Sequence, residues 1–83
     1  MPAHQRVIAA HAEALDADAE ALTGCAARLH ALAARLRSDA AAPPWLFDTL
    51  NAHITACVVA SADLAEVATR LHVYADLLGD EEH

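Results

Sequence analysis

The chain has 83 residues, twelve acidic side chains against five basic ones, and a net charge of −7 in which every cation is an arginine. That length makes a single domain, and the shortage of clustered cations argues against nucleic acid or an anionic membrane surface as partner, because phosphate backbones need such clusters. Although 57% of the residues are hydrophobic, 23 of them are alanine, so the mean hydropathy of +0.24 overstates how apolar the chain is, and a soluble protein is expected.

Charges or histidines interrupt every window that approaches the roughly 20 apolar residues needed to span a bilayer. No basic segment precedes an apolar run near Met1, so neither a membrane span nor a conventional signal peptide is expected. From about Ala3 to Arg37 the sequence is rich in Ala, Leu, Arg and Glu, all strong helix formers, and Pro2 is tolerated in a first turn. This first helix, about 3–37, would be roughly 50 Å long at 1.5 Å per residue. Ile8, Leu15, Leu22, Leu29 and Leu36 form a ladder with a seven-residue step, and four residues beyond the first four of these rungs stand Ala12, Ala19, Ala26 and Ala33. Gly24 faces away from that seam and is the one weak point of the helix, at about 1 kcal/mol relative to Ala.

The segment 38–44 is the expected turn, with Asp39 favouring a helix exit and Pro44 restricting Pro43 to an extended conformation. A proline can then begin a second helix, about 44–78, with Asp48 near the positive end of its dipole. Trp45 and Phe47 open this helix and are candidates either to plug the turn end near Leu36 or to serve as an exposed docking anchor. A second ladder follows: Leu50, Cys57, Leu64, Leu71 and Leu78, with Ile54, Ser61, Ala68 and Ala75 four residues on from its first four rungs. Gly79 suits a left-handed C-cap, and the acidic tail 79–83 is expected to fray.

Two such ladders flanking a turn predict an all-α fold, an antiparallel two-helix hairpin with coiled-coil-like packing. The alanines let the backbones approach, the leucines supply apolar area, and Leu22, Leu29, Leu64 and Leu71 are the expected buried centre. Two helices have no third layer to cover their second apolar face. The hairpin is therefore expected to dimerise into a four-helix bundle. The carboxylates of Glu13, Asp16, Asp18, Glu20, Asp76, Asp80, Glu81 and Glu82 lie toward the open end, while Arg28, Arg35 and Arg37 lie toward the turn. Two hairpins packed antiparallel would bring these opposite charges together, though exposed pairs contribute only about 0–1 kcal/mol each.

Cys25 and Cys57 come level in such a hairpin, and a disulfide between them would clamp the helices with roughly 3–4 kcal/mol of chain-entropy stabilisation. Helix axes about 8–10 Å apart hold most Cα pairs beyond bridging distance, which leaves buried free thiols as the default. His30 with His53 and His11 with His72 also come level, but the spacing of Cys25, His30, His53 and Cys57 is no zinc-finger signature, and no metal or other cofactor is expected. A nucleophile elbow, a phosphate-cradling glycine loop and an HExxH motif are all absent from the sequence, and a hairpin offers no natural concave pocket. An enzyme is not expected.

The segment Pro44-Trp45-Leu46-Phe47-Asp48-Thr49-Leu50-Asn51, continuing to Leu71-His72-Val73-Tyr74, resembles the EspC-like type VII secretion targets of actinobacteria, relatives of the Trp-x-Gly ESAT-like hairpins. The resemblance covers about 30 residues, and helix 1 matches as a pattern. It implies a small exported or export-associated helical protein, cytoplasmic before export and secreted by the type VII route. Such a protein would pair as a homodimer or heterodimer with another helical hairpin. It also implies recognition of a C-terminal Tyr-x-x-x-Asp/Glu element by the secretion machinery, which would make Tyr74 part of a secretion signal, whereas its place three residues past Leu71 beside the seam suits plain half-buried packing. Leu46 and Phe47 follow Trp45 in place of Trp-x-Gly, and Leu78 stands four residues beyond Tyr74 where the element has an acid. The signal is then degenerate or is supplied by a partner. The alternative reading is a cytoplasmic adaptor, chaperone or antitoxin-like module that binds a toxin helix and is not exported.

Overall fold

A computed structural model describes residues 3–80, so Pro2 and the tail 81–83 lie outside the described residues. Two helices, α1 (Ala3–Leu36) and α2 (Pro44–Asp80), pack along their whole length as a hairpin, and no strand occurs among the described residues. The hairpin is a rod with extents of 65 × 14 × 12 Å.

Helix α1 ends where the chain reaches Ser38 and Asp39. The Arg37 amide still donates to the Ala33 carbonyl at 3.0 Å, and the Asp39 amide then makes a tighter bond to Leu36 O, also at 3.0 Å. Asp39 reverses the chain through an Asx turn, its Oδ1 accepting the Ala41 amide at 2.9 Å while its carbonyl accepts that of Ala42 at 3.1 Å. Pro44 begins α2 as its first residue, where the missing N–H costs nothing, and the Leu46 amide donates to Pro43 O at 3.1 Å.

The far end departs from expectation. Helix α2 continues through Gly79 to Asp80, and no described glycine has a positive φ, so Gly79 is not a left-handed cap. Its role is close approach instead. A Cβ there would collide with the Gln5 amide group, which donates from Nε2 to Ala75 O at 2.8 Å. Glycine at 79 leaves room for this bond, which fastens the start of α1 to the end of α2. Gly24, by contrast, sits in an uninterrupted α1, and its missing Cβ faces only the Arg28 guanidinium.

The buried residues follow the heptads, with small side chains at the centre. On α1 they are Ala12, Ala19, Ala26 and Ala33; on α2 they are Leu50, Ile54, Ala68 and Ala75. Leu22, Leu29, Leu64 and Leu71 are only half-buried, which corrects their expected place as the buried centre. Alanine has no side chain beyond Cβ, so an alanine seam draws the backbones together and leaves the longer leucines splayed beside the contact. The seam carries one polar rung, where the Ser61 hydroxyl donates to Ala19 O at 2.9 Å and lies 2.7 Å from the Thr23 hydroxyl. No buried side-chain polar atom among the described residues lacks a partner.

Candidate partner interface

On α1, Leu15, Leu22 and Leu29 each stand three residues after one alanine rung and four before the next, and the α2 rungs keep the same step to Phe47, Ile54, Ser61, Ala68 and Ala75. Because the helices run in opposite directions, that common step turns both leucine ladders to the same side of the hairpin. The opposite side is marked by Asp16 and His72, each one residue past a leucine rung, whose Oδ2 and Nε2 meet at 2.8 Å. Ile8, Leu15, Leu22, Leu29 and Leu36 of α1 thus share a face with Cys57, Leu64, Leu71 and Leu78 of α2, all of them half-buried. Leu50, at the turn end of the same ladder, is buried at 8% exposure. A compact folded protein of this mass exposes about 4,700 Å². This chain exposes 5723 Å², an excess of the order that a partner covers in a standard interface, about 800 Å² on each side.

The two turn aromatics behave differently. Phe47 is half-buried, in step with the inner ladder of Ile54, Ser61, Ala68 and Ala75, and covers the turn end of the seam. Trp45 is 64% exposed, so it is not the plug. Two residues before Phe47 on a helix is about 200° away, and this sends the indole outward. The sequence carried that signal, since Phe47 falls on the seven-residue step and Trp45 does not.

Near the open end, Tyr74 is 45% exposed at the flank of the leucine face, where its ring is accessible. His72 meets Asp16, although His11 is the histidine expected at its level. Level alone does not make a contact; Asp16 and His72 share a face, which their common position after a leucine rung could have revealed. Among the described residues, no group of three His, Cys, Asp or Glu side chains comes together as a metal site would require. No described helix is long and apolar enough to cross a membrane.

Cys25 and Cys57 are half-buried free thiols. The Cys57 thiol is pushed above its ordinary range, first by burial and then by its hydrogen bond with the Cys25 thiol. Arg70 pairs with Glu66 at 2.9 Å across one turn of α2, in full view of water, and the pair contributes about 0.3–0.5 kcal/mol. Charge along the rod stays uneven, with Arg28, Arg35 and Arg37 toward the turn and Glu13, Asp16, Asp18, Glu20, Asp76 and Asp80 toward the open end. Comparison of the chain with protein-family models, curated proteins and solved structures finds no match.

Proposed function

We propose that this chain works by binding another helical hairpin through its leucine face, completing a four-helix bundle. The observation that carries the reading is the pair of half-buried leucine ladders turned to one side of a rod whose own contact is made largely of alanine. From Ile8 to Leu36 the ladder runs about 42 Å at 1.5 Å per residue, and on a rod 14 Å wide it approaches the footprint of one side of a standard interface. Apolar area of this extent contributes about 25 cal/mol per Å² when removed from water. The partner is a second copy or a related hairpin. In either case an antiparallel approach sets the arginines of one turn against the carboxylates of the other open end.

The setting we propose is type VII secretion, with the chain as an exported substrate or as the cofolded partner of one. Its support is the resemblance of 44–51 and 71–74 to EspC-like hairpins, together with the accessibility of Tyr74. With Leu78 in the place of the acid, the partner carries the complete export signal.

Sedimentation velocity at micromolar concentration tests the binding reading. A dimer is expected, or a heterodimer when the cognate hairpin is co-expressed, and Leu64→Glu should abolish either. A stable, compact 8.7 kDa monomer in both experiments would overturn it. Export is tested by detection in culture filtrate, expected to depend on the secretion ATPase. Retention in cells together with a co-purifying toxin would replace the export reading with the adaptor one.

A further inference from the structure

We propose that Cys25 and Cys57 form a reversible dithiol–disulfide couple that clamps α1 to α2 when the chain meets an oxidising environment. They are the two cysteines of the sequence, one on each helix, both half-buried and unpaired. Both lie on the leucine side of the hairpin. Cys57 is a rung of the α2 ladder, and Cys25 stands three residues after Leu22 and four before Leu29, the spacings that bring side chains together on a helix.

Their register is fixed independently by the Thr23 and Ser61 hydroxyls, 2.7 Å apart across the helices. Two residues toward the turn on α1 and four on α2 lead to Cys25 and Cys57, which places their levels within about 3 Å at 1.5 Å per residue. The spacing objection from ordinary helix packing weakens here. Ala26 and Ala19 of the neighbouring seam are buried at 5% and 6% exposure, and small side chains at a contact favour a close approach of the axes. The shared leucine side and the matched level set the two thiols opposite one another across the helices, and the raised Cys57 thiol has Cys25 among its causes.

The oxidant is a low-molecular-weight disulfide, R–S–S–R. The Cys25 thiolate attacks one of its sulfurs, forming a mixed disulfide and releasing R–S⁻, which takes a proton to become R–SH. Cys57 gives up its proton and attacks the Cys25 sulfur, expelling the second R–S⁻ as R–SH. In sum, two protein thiols lose two hydrogens and two electrons, and the small disulfide gains both. The closed loop restricts the unfolded chain, so oxidation stabilises the hairpin while the seam keeps its packing. This deepens the export reading, since thiols stay reduced in the cytosol and close outside it, but the bond itself can be scored without that reading.

The test takes the full chain, fully reduced, into anaerobic glutathione buffers of increasing oxidised fraction. Products are trapped with acid and read by intact mass, non-reducing gel and thermal melt. The expected product is monomeric on the gel, lighter by two hydrogens (about 2 Da), free of glutathione, and reverts on adding excess reduced glutathione. Its melting midpoint should exceed that of the reduced chain by at least about 10 °C. Cys25→Ser and Cys57→Ser should each stop at a mixed disulfide. Glutathione adducts on both cysteines of the wild-type chain, covalent dimers, or a bridge that leaves the midpoint unchanged would each overturn the proposal. Sedimentation of the same samples separates the two readings. A chain that closes its bridge yet stays monomeric alone and with the co-expressed hairpin sinks the bundle and keeps the couple, whereas a dimer that never closes one does the reverse.

Discussion

Helix α1 presents mainly alanine and charge to water, with Val7 and Leu32 its exposed large apolar side chains among the described residues, whereas α2 exposes Trp45, Val58, Val59, Val67, Val73 and Leu77 as well as Tyr74. The two share one seam with one period, so the seam cannot be what distinguishes them. A helix that is apolar on nearly every face is one that neighbours are meant to cover, and a helix with a single apolar stripe is complete once that stripe is buried. By this measure both helices leave their leucine ladders half-covered, and α2 leaves further apolar surface open beyond that shared face. The lesson is that heptad period determines which helices pair within the chain, while the composition of the faces outside the seam determines where the next partner sits.

The comparison breaks most readily at the leucines. If a partner covers their face, Leu29→Ala and Leu64→Ala should each destabilise the assembly by about 2–5 kcal/mol. In a hairpin standing alone, half-buried leucines would lose about half the 1.5–3 kcal/mol of a fully buried side chain. Thermal melts at two protein concentrations distinguish these, because only the assembly has a midpoint that rises with concentration.

A smaller effect sharpens the contrast between seam and outer face. Ala68 is fully buried, and Ala68→Leu should force the helices apart at about 1–3 kcal/mol. Ala65→Leu, on an exposed face of the same helix, should stay within about 0.5 kcal/mol by urea denaturation. Equal losses at the two positions would mean that the alanines are not the contact.

Ser61→Ala completes the alanine ladder of α2 but removes the hydroxyl that bonds Ala19 O and the Thr23 side chain. A loss of about 0.5–1.5 kcal/mol is expected by chemical denaturation. The smallest effect has the opposite sign. Gly24→Ala adds a Cβ 3.5 Å from Arg28 Nη1, an ordinary contact, and should raise stability by about 0.5–1 kcal/mol. A lower melting temperature for that variant would show that glycine answers a constraint the helix does not otherwise reveal.

The hairpin, its turn and its register were legible in the sequence because the seven-residue step recurs on both sides of Pro43 and Pro44. Which rung of the seam is deepest was less legible. Apolar size ranks leucine above alanine, whereas the depth of a rung depends on how close the backbones come, and alanine decides that. The size of Trp45 leaves plug and exposed anchor open, while its phase relative to Phe47 points outward, as its 64% exposure bears out. Gly79 was read as a cap from local chain geometry; its actual reason, the Gln5 side chain, comes from the other end of the molecule and leaves no local mark. Residues sharing a level were easier to foresee than residues sharing a face, as Asp16 with His72 demonstrates.

The bond from Gln5 to Ala75 joins residues 70 apart in the chain, and this separation sets an order in time. Pairing across the turn closes a short loop and comes first. Each later rung extends a pairing already made, so the entropy of closing a long loop is never met in one step. The hairpin is expected to zip from Asp39 toward Gln5 and to unzip in reverse, and amide exchange should then quicken steadily from the turn to the open end. Tyr74 lies on the part expected to close last and open most often, so its ring sits on a helix end that is repeatedly released from its neighbour.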